Sequence, residues 1–144
     1  MKTLTKNNRF QHLGGVCMVG AAVALSFLVE ISFGSFPVGL FRFPLNVLVL
    51  ALWMMLMAMM YRGRAHNACA RFMLSREATW LSLALIAAIG ITLGLQLKPS
   101  STAWPTVCSL LFVLSHLQFV IMRGWRNGKG IRWRFCLAHI GLFL

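Results

Sequence analysis

Two histidines are the residues of this sequence best placed to do chemistry. His116 and His139 both fall inside long apolar stretches, where a polar side chain is costly without a partner. If those stretches run antiparallel through a bilayer, His116 lies about six residues from the end of its own, and His139 about four residues into the next. At 1.5 Å per residue both then sit roughly 6–9 Å inside the same boundary. Two imidazoles at one depth can ligate a single metal, such as a haem iron. The competing reading is that each imidazole hydrogen-bonds a neighbouring helix, and spacing alone leaves both open.

The remaining polar and sulfur-bearing residues point away from catalysis. Glu30 is the only acid inside an apolar stretch. It is close to the outer end, which favours a pair with Arg42 across a short loop; carrying protons would ask for a deeper position. Asn46, Gln96 and Gln118 read as helix–helix hydrogen bonds or interfacial groups. Cys17, Cys69, Cys108 and Cys136 form no C-x-x-C pair and no zinc-like spacing, so they read as small apolar thiols. Met54, Met55, Met57, Met59 and Met60 cover every face of their stretch, which suits lipid contact and packing better than a copper site. No nucleotide motif, nucleophile–base arrangement or carboxylate pair is present. Chemistry here would be done by holding something bound between helices.

The elements that must position these residues follow from composition. Apolar residues make up 59% of the chain and charged residues 11%, with mean hydropathy +0.77. A soluble domain carries about 25% charged residues, so the solvent for most of these side chains is lipid or other helices. A helix crossing roughly 30 Å of hydrocarbon needs about 20 residues. Four stretches qualify, at 13–33, 44–61, 78–97 and 104–122, and a fifth begins near Phe135 and stops at Leu144. The expectation is an all-α, polytopic membrane helix bundle: one transmembrane domain over 1–144, with four helices and a truncated fifth. Ten residues reach only about 15 Å, so either the last segment lies in the interface or, the preferred reading, the sequence is a fragment of a longer protein. The first stretch is too long for a typical signal-peptide core and lacks a clear A-x-A site, so it reads as an uncleaved span.

The charge is +12, from 14 Lys+Arg against 2 Asp+Glu. Its distribution argues against nucleic-acid binding, because the basic residues lie in short connectors between apolar runs. Lys2, Lys6 and Arg9 precede the first span; Arg62, Arg64, Arg71 and Arg76 follow the second; Arg123, Arg126, Lys129, Arg132 and Arg134 follow the fourth. With four spans these share one side, and only Arg42 and Lys98 lie opposite. The positive-inside rule then places the N-terminus in the cytoplasm. Connector cations also suit anionic lipid headgroups. Pro44 and Pro105 fall in first turns, where a missing N–H costs little. Tyr61, Trp80 and Trp104 fall at or near interfaces. Gly90 and Gly94 form a small-xxx-small pair that predicts close packing around the third span.

Two segments carry a family resemblance. The run LVEISFGSFPVGLFRFPLNVLVLALWMMLM contains Pro44-Leu45-Asn46, and the terminal IRWRFCLAHIGLFL contains His139-Ile140-Gly141-Leu142. Together they resemble the N-terminal membrane portion of the ResB/CcsB-like cytochrome c biogenesis proteins of Bacteroidetes type, over nearly the whole chain from about Leu13. The resemblance implies a part in system II cytochrome c maturation. With a CcsA-like partner, such proteins bring haem across the membrane for attachment to apocytochrome c. It implies a bound haem b with His139 as the candidate ligand of the iron. His116 rests on the depth argument alone, and Arg132 and Arg134 are placed to attract haem propionates. The family's large external domain does not appear in this sequence, and no catalysis is expected of the chain on its own. The alternative is a membrane scaffold that holds no cofactor. A transporter is disfavoured because no span is conspicuously broken and buried charge is nearly absent.

Overall fold

The computed structural model describes residues 2–40, 42–95, 102–125 and 141, with side chains for 13–39, 42–95, 102–124 and 141. The described residues form an all-α membrane helix bundle. Its helices are α1 (Lys2–Phe33), α2 (Leu45–Arg62), α3 (Ala68–Met73), α4 (Arg76–Gly94) and α5 (Trp104–Trp125), with a 3₁₀ turn at Val38–Leu40. Four of these helices are long and apolar enough to cross a membrane. Hydrocarbon offers the backbone no partner, so each crossing segment closes its own hydrogen bonds as a helix. The ends match the expected spans to within a few residues, except that α1 starts well before its apolar stretch. The expected fifth helix at 135–144 lies outside the described residues apart from Gly141, as do Gln96 and Lys98.

The punctuation is local chemistry. Gly34 ends α1 with φ +75°, a left-handed conformation that favours glycine, and its N–H reaches the Glu30 carbonyl at 2.9 Å. Asn67 caps α3, its Oδ1 accepting the Cys69 N–H at 3.0 Å. Ser75 caps α4, its Oγ accepting the Ala78 N–H at 3.2 Å. Each satisfies a donor that a helix start leaves without a partner. The 62–77 connector, expected as a plain loop, thus contains a helix of its own.

Helix α5 is the hub. It packs against α1, α4 and α2, while α3 tucks against α1, α4 and α5. In its membrane-length window 44% of residues are buried, against 6% in α1 and 11% in each of α2 and α4. The reason lies in its sequence. Pro105, Ser109, Phe112, His116 and Phe119 are all buried, and their alternating spacing of four and three puts them on one helix face. Thr106 and Ser115, which flank that face, are buried too. Polar groups avoid lipid, and small ones let neighbouring backbones approach closely, so the helix that gathers polar and small residues on its buried face lies in the middle.

Two apolar clusters hold α3 in place. Met57 and Tyr61 of α2, Ala70 of α3 and Phe119 of α5 form one; Phe72 of α3, Ala78 of α4 and Phe112 of α5 form the other, with Val16 and Val19 of α1 against it. The close approach in this bundle is at Gly15 of α1, where any added Cβ would run into the Phe72 ring. Gly90 and Gly94 were expected to mark tight packing. A Cβ at either meets nothing within 4 Å, so among the described residues they pack against no partner. Tyr61, in the last turn of α2, is also buried in the bundle, edge-on to Phe119 at 5.7 Å, with the Arg64 guanidinium 4.5 Å from its ring centre.

Candidate functional site

His116 sits on the buried face of α5 and is 6% exposed. Its Nδ1 lies 2.8 Å from the backbone carbonyl of Met73. A carbonyl oxygen only accepts, so Nδ1 carries a proton, and a neutral ring then has its lone pair on Nε2. The bond follows from the brevity of α3. A helix leaves its last carbonyls without intrahelical partners, and a six-residue helix is nearly all ends. Met73 O is taken by His116, and Leu74 O by the Arg123 Nη1 at 3.4 Å. Two side chains of α5 thus hold the turn after α3 against the hub. Helix–helix hydrogen bonding, one of the two readings left open by spacing, describes this nitrogen.

His116 lies six residues before Met122, on a helix that continues to Trp125, and it reaches the connector because α3 packs against α5. His139, Arg132 and Arg134 lie outside the described residues, so the pairing of His116 with His139 is not described. Among the described residues, no three His, Cys, Asp or Glu side chains form a metal-binding group.

Glu30 is engaged differently from expectation. Its Oε2 accepts the Trp104 backbone N–H at 2.8 Å and its Oε1 accepts the Ser35 hydroxyl at 3.1 Å. No ion pair with Arg42 forms. A carboxylate at a helix N-terminus meets orphan N–H groups and the positive end of the macrodipole, and here the helix is the hub itself. The Trp104 Nε1 donates to Gly34 O at 2.9 Å, the Phe36 N–H to Thr102 O at 2.9 Å, and the Phe36 and Trp104 rings meet edge-on at 4.9 Å. These contacts clasp the α1–α2 loop to the start of α5, at the end of the bundle opposite α3. The sequence signal was faint: an acid near the end of one span, and a Trp-Pro helix start without a side-chain cap of its own.

Gln118 bridges helices, its Nε2 donating to Met54 O at 3.0 Å. Its Oε1 and the Trp53 Nε1 are buried without partners. Cys17, Cys69 and Cys108 are free thiols, and Cys136 lies outside the described residues. Met57 packs inside the bundle while Met54, Met55 and Met59 are exposed.

The fold and these contacts define a class: a multi-pass membrane protein of apolar helices around a polar-faced central one, with surfaces suited to lipid. No protein-family model, no curated protein and no solved structure matches the chain.

Proposed function

We propose that this protein is a membrane component of cytochrome c maturation that helps haem cross the bilayer for attachment to apocytochrome c. The structural observation that carries the reading is the orientation of His116. Its Nδ1–H is committed to a backbone carbonyl, which is the arrangement that fixes a ligating imidazole and directs the Nε2 lone pair outward from the bond. An imidazole held this way would supply a nitrogen donor to a haem iron. The sequence supplies the rest: His139 as the main ligand, and Arg132 and Arg134 as cations for the propionates. Haem, when bound, is the group that the apocytochrome receives. On this reading the arginine-rich end faces the cytoplasm of a bacterial inner membrane. A CcsA-like protein is the partner, and its apolar contact is drawn from the open faces of α1, α2 and α4.

A second reading, a scaffold without cofactor, is favoured by a specific observation: the His116 hydrogen bond serves α3 whether or not anything is ligated. An absorbance scan separates the two. The full chain, expressed with haem in excess and purified in detergent, is expected to show a Soret band that falls at least severalfold in His139→Ala. His116→Ala is expected to shift or weaken the band and also to lower thermal stability, because Met73 O loses its partner. A colourless wild-type protein, or an unchanged Soret band in both variants, overturns the haem reading and leaves the scaffold.

A further inference from the structure

The turn after α3 gathers positive charge in a way that the haem reading does not use. Arg71 lies in the last turn of α3, Arg76 is the first residue of α4, and Arg123 reaches from α5 to the Leu74 carbonyl between them. All three are exposed. Two bonds from α5, those of His116 and Arg123, hold the backbone of this turn in place. Its inner side is buried through Ala70 and Phe72. The result is a ledge at the end of the bundle: apolar beneath, cationic above, joined directly to the start of α4 and, through α3 and residues 63–67, to the end of α2. Arg62 and His66 add exposed basic groups nearby in the chain. Glu77, the acid of this end among the described residues, already has a partner. The opposite end offers Arg42 as its described cation, with Glu30 engaged in the clasp.

We propose that this ledge docks an anionic phospholipid of the leaflet that meets it, its phosphodiester held by Arg71, Arg76 and Arg123. The chemistry is that of guanidinium with phosphate, charge-assisted and able to form two hydrogen bonds per arginine. The lipid is favoured over a soluble anion by placement. The ledge lies where α2 ends and α4 begins, at headgroup level, and its Phe72 side meets the apolar bundle. A phosphodiester there keeps its acyl chains in hydrocarbon, along the open faces of α2 and α4. Fixing the turn from beneath means that little order is lost when the headgroup arrives.

The test uses the full chain in micelles doped with equal amounts of phosphatidylglycerol and phosphatidylcholine, with retained lipids counted by native mass spectrometry. Wild type is expected to retain phosphatidylglycerol preferentially. Each basic residue at a membrane surface contributes about fivefold to anionic-lipid preference. Arg71→Gln with Arg76→Gln is thus expected to lower the ratio by roughly one order of magnitude or more. These two side chains are exposed, so the double variant keeps the Arg123 bond to the turn; unchanged helicity and elution volume check that it folds. Arg42→Gln at the opposite end is expected to leave the ratio unchanged. Equal retention of the two lipids by wild type overturns the proposal, as does an unchanged ratio in the double variant or an equal fall in Arg42→Gln. Displacement of the lipid by millimolar inorganic phosphate would assign the ledge to a soluble anion instead and overturn it too.

Discussion

Glu30 illustrates how a single residue in a lipid-facing protein acquires a role from its partners. An exposed carboxylate pair with arginine contributes little; a carboxylate that caps a helix start satisfies orphan donors and the helix dipole together. Replacing Glu30 with alanine removes the acceptor for both Trp104 N–H and the Ser35 hydroxyl. The expected cost is about 1–2 kcal/mol, read as a lower thermal midpoint in detergent. Glu30→Gln keeps an acceptor oxygen and loses the charge, and is expected to cost about half as much. An Arg42→Ala variant as damaging as Glu30→Ala would overturn this assignment and restore the ion pair.

At the scale of elements, α3 is the piece that turns four crossing helices into one defined end. It is too short to be stable alone. Its position comes from Phe72 seated over Gly15, from Ala70 against Tyr61 and Phe119, and from the two α5 side chains on its final carbonyls. Gly15→Ala forces the Phe72 ring to move and is expected to destabilise the fold by about 1–3 kcal/mol. Gly90→Ala and Gly94→Ala introduce a methyl into open space and are expected to change the thermal midpoint little. If the three substitutions prove equal, the close approach of α1 and α3 is not what holds the connector.

For the whole molecule, the matter of consequence is which end faces which compartment. The proposed orientation gives a plain expectation in a cysteine-free background. Val38→Cys should react with a membrane-impermeant maleimide in intact spheroplasts, and His66→Cys only after lysis. Both positions are exposed, so access is decided by side and not by burial. Labelling of position 66 from outside would invert the topology. It would also remove the cytoplasmic setting on which the haem reading depends, while leaving the lipid ledge to its own test.

Much of this architecture was legible in the chain itself. Span number and approximate limits follow from apolar run length, because the bilayer sets a fixed distance that a helix must cross. The hub was also encoded, since α5 concentrates its polar and aromatic side chains at alternating four- and three-residue spacing. Other features depended on contacts between segments far apart in sequence, which no local pattern specifies. The Glu30 clasp joins residues 74 positions apart, and the His116 bond joins residues 43 apart. The small-residue pair at Gly90 and Gly94 misled because a missing side chain permits close approach without supplying a neighbour. Burial of Tyr61 and folding of α3 into the bundle likewise required the shape of α5. Sequence alone determined that these helices live in hydrocarbon, by the free energy of transfer of their side chains. Only tertiary structure decided which polar groups meet, because a hydrogen bond is set by ångström-scale geometry and not by composition.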